Sequence, residues 1–254
     1  MSIRTHLLAL GIMVGVASPA AAAEDLIPPT EGPFSITGSL ALTSEYFFRA
    51  ISQSDDSPAV QGGLNANYDL GFATASAGVW ASNVDFGPAD VQDATVEVDY
   101  LVGLSGKLME KLSWNVGGIY YSYPGANNSA GSEPDYWEVA LGSSYDFGIL
   151  TAGVSYNYSP DFFANSGEAH YVNGKITVPL WKVDLIGAVG KQWIEKNQAF
   201  AGPDYIDYKL AVAAKVYGFD LDAAFIDTTE NSFNGAPLPT YAQNQFVFTV
   251  TKNF

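Results

Sequence analysis

The chain contains no cysteine, which removes disulfides, thiolate metal sites, a cysteine nucleophile and a lipid carried on an N-terminal cysteine. Its two histidines are too few for an imidazole-based zinc site. Charged residues make up 15% of the chain, below the ~25% of soluble domains, and they are lopsided, with 11 Lys+Arg against 27 Asp+Glu. Phosphate backbones are bound by clustered cations, so nucleic acid is excluded as a partner. After residue 23 no apolar run approaches the ~18 residues of a transmembrane helix, which excludes a helical membrane protein. What remains in quantity is aromatic residues, at 14%, and 25 glycines. That balance suits strands meeting a membrane interface.

Residues 1–23 read as a secretory signal peptide: Arg4 in a short basic start, an apolar run from Leu7 to Ala17, and small residues from Ser18 to Ala23 before Glu24. Cleavage is expected after Ala22 or Ala23, and the loss of Arg4 makes the balance one charge more acidic than the −16 of the whole chain. A periplasmic N-terminal segment, 24–33, then leads into a domain expected to span 34–254.

Nearly everywhere in that domain the hydrophobic period is two, the signature of strands with one dry and one wet face. Phe34, Ile36, Leu40, Leu42, Tyr46 and Phe48 share a face opposite Ser35, Thr37, Ser39, Thr43 and Glu45. Val96, Val98, Tyr100, Val102 and Leu104 oppose Glu97 and Asp99; Trp137, Val139, Leu141 and Tyr145 oppose Glu138; Ile206, Tyr208, Leu210, Val212 and Val216 oppose Asp207, Lys209 and Lys215. The last strand, expected over 241–254, carries Phe246, Phe248, Val250 and Phe254 on its dry face, an aromatic-ended ridge resembling the signal read by the outer-membrane insertion machinery. Val247, Thr249, Thr251 and Asn253 form its wet face.

Connections alternate in length. Short turns fall near Leu70-Gly71, 107–111, Phe147-Gly148, 179–182 and Tyr217-Gly218; long ones near 49–57, 83–93, 124–134, 160–167, 194–204 and 228–240. The reading is an all-β, transmembrane, up-and-down antiparallel β-barrel of about twelve strands, with short periplasmic turns and long extracellular loops, in the outer membrane of a Gram-negative bacterium. A secreted β-sandwich would also alternate polar and apolar residues, but it accounts neither for the short–long rhythm nor for the terminal ridge. Trp80, Trp114, Trp137, Trp181 and Trp193, with Tyr46, Tyr68, Tyr145 and Tyr158, are expected in the interfacial girdle.

The run Thr43-Ser44-Glu45-Tyr46-Phe47-Phe48-Arg49-Ala50-Ile51-Ser52-Gln53-Ser54, then Pro58 to Gly63, Gly78 to Phe86, Glu97 to Tyr100 and Tyr120 to Gly125, resembles the TorF/Gcw_chp family of proteobacterial outer-membrane porins. Ala50 stands where that family commonly has glycine. The resemblance implies an outer-membrane barrel with channel activity and brings no substrate with it. It singles out Arg49 and Gln53 as a constriction or loop-anchoring pair, with Asp55, Asp56 or Glu45 as the expected partners of the arginine.

On the wet faces Glu45, Glu97, Asp99, Glu138, Asp184, Asp207, Asp220 and Asp222 outnumber Lys175, Lys209 and Lys215. An acidic, hydrated lumen concentrates cations. The expected function is therefore a channel for small hydrophilic solutes, cationic or neutral, with no cofactor and with outer-membrane lipid, lipopolysaccharide and the insertion machinery as partners. Two alternatives stand beside it: a plugged structural or adhesive barrel, in which the same carboxylates pair with Lys209, Lys215 and Arg49, and an outer-membrane hydrolase. The hydrolase has only His170 in the mature chain as a base, with Ser159 and Ser166 as nearby nucleophiles. Asp55-Asp56 and Asp85, Asp90 and Asp93 offer hard oxygen ligands, but neither run fits an EF-hand and no metal site is expected.

Overall fold

The computed structural model describes residues 32–86, 93–127, 133–196, 204–229, 232–233, 236–237 and 244–254. The expected signal peptide and the parts of the long loops that fall elsewhere lie outside the described residues. Among the described residues twelve antiparallel strands close into a barrel. They are β1 (Phe34–Thr43), β2 (Ala59–Asp69), β3 (Thr74–Asn83), β4 (Val96–Met109), β5 (Leu112–Ser122), β6 (Tyr136–Asp146), β7 (Thr151–Ser159), β8 (Ala169–Leu180), β9 (Val183–Ile194), β10 (Tyr205–Val216), β11 (Phe219–Thr228) and β12 (Gln245–Asn253). Each strand pairs with its sequence neighbour, and β1 closes the ring on β12 with Ser39 opposite Asn253 and Thr43 opposite Thr249.

The short turns are built by residues suited to them. In the β2–β3 turn Asp69 Oδ1 accepts the amide of Gly71, and in the β6–β7 turn Asp146 Oδ1 accepts that of Gly148 (2.7 and 2.6 Å). Both glycines adopt positive φ, so Tyr-Asp-Leu-Gly and Tyr-Asp-Phe-Gly are one side-chain-closed turn used twice. Tyr217 and Gly218 both have positive φ, the geometry that matches the twist of a two-residue hairpin. These turns share one rim with the start of β1 and the end of β12.

Period two sends the apolar residues outward. Leu40, Leu42, Tyr100, Val102, Leu141, Leu210, Phe246 (72% exposed) and Phe248 (61%) cover the exterior, an apolar surface suited to lipid and not to water. Trp137, Trp181 and Trp193 are exposed on this outer surface or at the turn rim. At the seam, Gly38 exchanges backbone hydrogen bonds with Phe254 (2.7 and 3.0 Å), and the Phe254 ring lies where a side chain at residue 38 would sit. The missing side chain of a glycine on the lipid face is thus replaced by the terminal aromatic ring.

Two expectations fail at the opposite rim. Strand β1 stops at Thr43, and Tyr46 and Phe48 do not continue its lipid face: they are buried at 2% and 9% exposure inside the barrel. Trp80 is inward as well, its ring 5.4 Å from that of Tyr46. The alternation continues past Thr43 because a lumen packed with aromatics needs apolar residues as much as lipid does. The last strand begins at Gln245, and residues 241–243 of the expected strand lie outside the described residues.

Candidate functional site

Residues 44–58, the first long connection, fold down into the lumen. Phe47–Phe48 and Ile51–Ser52 pair as a miniature antiparallel hairpin, Phe47 opposite Ser52 and Phe48 opposite Ile51. Arg49 (φ 50°) and Ala50 (φ 63°) form its two-residue turn. Positive φ at both positions is what a tight hairpin of this type requires, and Ala50 adopts it despite carrying a Cβ.

The residues that follow staple the hairpin to itself. Gln53 Nε2 donates to the carbonyls of Ile51 and Ser52 (both 3.1 Å), and its amide N–H reaches the Tyr46 carbonyl (2.7 Å). Ser54 Oγ accepts the Tyr46 amide (3.0 Å) and donates to the Ser57 carbonyl (2.7 Å). The Asp85 amide donates to the Gln53 carbonyl (2.8 Å), tying the loop base to the end of β3. Glu45 lies in this connection and not on the barrel wall, and burial pushes its carboxyl above the ordinary range against an opposing hydrogen bond from Ser52. Thus the run 43–54 encodes one compact, inward-pointing unit.

At the tip, Arg49 crosses the lumen. Its Nη2 donates to both carboxylate oxygens of Glu138 on β6 (2.8 and 2.6 Å), and Nη1 donates to Gln192 Oε1 on β9 (2.8 Å). The guanidinium stands 4.3 Å from the Tyr171 ring centroid, 4.5 Å from that of Phe48 and 5.9 Å from that of Phe162. The partners expected for it, Asp55, Asp56 and Glu45, are not the ones it takes. The tight turn aims residue 49 away from its own loop, and Asp56 instead accepts from Gln245 Nε2 (3.1 Å).

Around the hairpin the upper lumen is filled. Tyr121 stacks on Tyr136 at 4.4 Å, Phe48 meets Tyr121 edge-on at 5.7 Å, and Phe162 meets Tyr136 at 4.7 Å. Phe162 arrives from the β7–β8 connection, which carries a short 3-10 turn, Phe163–Asn165. Within this packing Glu97 (1% exposed), Asp99 (0%) and Glu138 (1%) are removed from water. Tyr46 Oη donates to Glu97 (3.0 Å), and Asn157 Nδ2 and Tyr121 Oη donate to Glu138 (3.0 and 3.2 Å).

Below the hairpin the lumen opens. A cavity of about 120 Å³ is bounded above by Phe47, Phe48 and Arg49 and at the sides by Asn157, Asn173, Tyr171, Lys175, Asp207 and Lys209. Taking ~30 Å³ per water, this is room for about four. Asp207 accepts from Tyr171 Oη (3.1 Å), and Lys209 pairs with Asp222 (3.4 Å). Gly190 leaves space for this arrangement, since a methyl there would run into Tyr171 Oη and Asp207 Oδ2. Further toward the turn rim the inner wall is mostly small, with Asp184, Lys215 and Asp220 among Ser, Thr, Asn and Ala.

The predicted site residues therefore divide. Arg49, Gln53, Glu45, Glu97, Asp99 and Glu138 gather in or against the hairpin; Asp207 and Lys209 border the cavity, with Asp222 reached through Lys209; Asp184, Lys215 and Asp220 stand apart near the turn rim. Sequence reasoning missed Gln192, Tyr171 and Phe162. Gln192 is a lone amide among apolar and small inward residues of β9, and that isolation is its one signal. No Ser–His pair forms among the described residues: His170 faces outward, its Nδ1 2.7 Å from Tyr156 Oη and its Nε2 2.9 Å from Glu168. Those contacts, first the imidazole and then Tyr158, hold the Glu168 carboxyl below its usual range. The hydroxyls of Ser159 and Ser166 are buried without a partner. The described residues hold no group of three or more metal-ligating side chains, and Asp90 lies outside them.

A closed twelve-strand barrel, apolar outside, with short turns on one rim and long loops on the other, is an outer-membrane β-barrel. Solved barrels share this fold. The KdgM porin superposes with a TM-score of 0.53 at 8% identity, covering 86% of this chain and 99% of that one. The NanC porin gives 0.50 at 12% identity over 85% and 98%, and a TodX mutant described as a monoaromatic hydrocarbon channel gives 0.50 at 10% over 88% and 89%. No curated protein matches the sequence. The chain belongs to the Gcw_chp family, described as a bacterial protein of unknown function, whose sequence pattern it matches over residues 29–254.

Proposed function

We propose that this protein is an outer-membrane channel for small hydrophilic solutes, closed at one level by the Phe47–Ser52 hairpin. The observation that carries the reading is the cavity directly beneath the hairpin: space bordered by Asn173, Lys175, Asp207 and Lys209 lies below, and the lumen above it is closed by the hairpin packed against Tyr121, Tyr136 and Phe162. A barrel evolved as a solid plug would fill its lower lumen with large side chains, as small barrels do. The fold shared with porins supports the same class.

Cationic or neutral solutes are preferred. Below the hairpin the inward carboxylates Asp184, Asp207, Asp220 and Asp222 outnumber the cations Lys175, Lys209 and Lys215, and a water-filled passage with that balance attracts counter-ions of positive sign. Planar-bilayer recording of the refolded protein tests both parts. Discrete conductance steps are expected, with reversal potentials in asymmetric potassium chloride that report cation preference. Anion selectivity would overturn the charge argument. Absence of conductance both in the intact protein and in one lacking the hairpin would replace the channel with the plugged structural barrel.

A further inference from the structure

The pocket that receives Arg49 belongs to the barrel wall, and it is organised without the arginine. Glu138 is held by Asn157 Nδ2 (3.0 Å) and Tyr121 Oη (3.2 Å). The Gln192 amide is fixed by its own Nε2, which donates to the carbonyls of His170 and Trp193 (both 3.2 Å), so that Oε1 is the end presented to the lumen. Tyr171 supplies a π face from β8, and Phe162 adds a second from the β7–β8 connection. A carboxylate, an amide oxygen and aromatic faces converging on one buried point are the complement of a flat, delocalised cation with several in-plane N–H donors. An ammonium, being a compact point charge, cannot use the two carboxylate oxygens and the amide oxygen in one plane while lying over a ring.

The present occupant comes from a separate loop and is joined to the wall by no covalent bond. It also borders the cavity below, so a solute in that cavity stands next to the site. We propose that this pocket is a subsite for a small organic cation of the guanidinium class, and that Arg49 fills it as a tethered stand-in whose displacement by such a cation unseats the hairpin. The inference rests on the cation-channel reading and adds to it the chemical class that the constriction recognises.

The test uses methylguanidinium as probe and the full chain refolded in detergent. By isothermal titration Arg49→Ala is expected to bind methylguanidinium saturably, at least tenfold more tightly than the intact protein, whose site is filled, and at least tenfold more tightly than it binds tetramethylammonium or urea. Glu138→Gln added to Arg49→Ala is expected to abolish that binding. Arg49→Gln, which keeps most of the side-chain length, replaces Arg49→Ala if heat-modifiable gel mobility shows that the alanine variant does not fold. In bilayers the folded variant is expected to conduct more than the intact protein, and millimolar methylguanidinium to reduce that current. A folded variant that binds methylguanidinium no better than urea overturns the subsite, even if it conducts. Saturable, Glu138-dependent binding without any conductance upholds the subsite and overturns the channel.

Discussion

The two halves of the lumen are built from the same twelve strands and solve opposite problems. Toward the loop rim, aromatic rings, a hairpin and three carboxylates at most 1% exposed make a dry, interlocked mass. Toward the turn rim, small side chains and a thinly populated set of Lys and Asp leave space for water. Charge means different things in the two places. Above, Glu138 is satisfied by an arginine, a tyrosine and an amide and Glu97 by a tyrosine, while both oxygens of the fully buried Asp99 lack a hydrogen-bond partner among the described residues, so none of the three is presented to a passing ion. Below, Asp184, Asp220 and Asp222 are half-buried and contribute to the local potential, while Asp207 is buried at 6% exposure. Summing charge over the whole wet face, as the sequence invites, mixes these roles.

Removing the upper structure gives the largest expected effect. Replacing residues 47–52 by a flexible Gly-Ser segment leaves the twelve-strand wall intact and is expected to raise single-channel conductance severalfold, since it removes the hairpin and leaves Tyr121, Tyr136 and Phe162 without the packing partner that locks them across the lumen. Glu138→Ala comes next. It strands the Arg49 guanidinium in a buried pocket, and breaking a buried pair from one side costs about 3–5 kcal/mol; limited proteolysis within the buried run 45–54 is expected to become rapid while the barrel core resists. Gly190→Ala sits at the border between the halves. Its methyl collides with Tyr171 Oη and Asp207 Oδ2, an overpacking of about 1–3 kcal/mol measurable by denaturant unfolding in detergent. In the open half, Lys209→Ala is expected to cost about 1 kcal/mol or less, because the Asp222 pair is long and partly hydrated, yet to shift the reversal potential toward stronger cation preference. A stability loss at Lys209 as large as that at Glu138 would erase the distinction between the halves. Smallest is Ala50→Gly, expected to stabilise the seated hairpin by about 1 kcal/mol by relieving a left-handed alanine.

The wall was legible because its causes are local. Alternation of Val, Leu and Tyr with Ser, Asn and Asp sets the faces, Asp-Leu-Gly and Asp-Phe-Gly set the turns, and the ridge at Phe246, Phe248 and Val250 marks the closing strand. The insert was only half legible. Arg49 and Gln53 were singled out by the family resemblance, but Tyr46 and Phe48 continue the period of β1, and no local property tells an aromatic bound for lipid from one bound for a packed lumen. The arginine's partner was legible only as a class, the wet-face carboxylates of the plugged alternative, because Glu138 and Gln192 meet it only across the folded barrel. The residues offering a clue were Arg49 and Ala50 themselves, one charged and one small residue between Phe-Phe and Ile-Ser where a two-residue turn fits.

The Arg49 contacts span 89 residues to Glu138 and 143 to Gln192, although the arginine leaves the chain just after its first strand. Contacts so distant in sequence form late, after the loop-closure entropy has been overcome by the strands between. The hairpin can fold early, since Gln53 and Ser54 staple it locally, but it has nowhere to dock until β6 to β9 stand side by side. Seating of the arginine is therefore a report that the cylinder is complete, and a barrel caught before that moment is an open one.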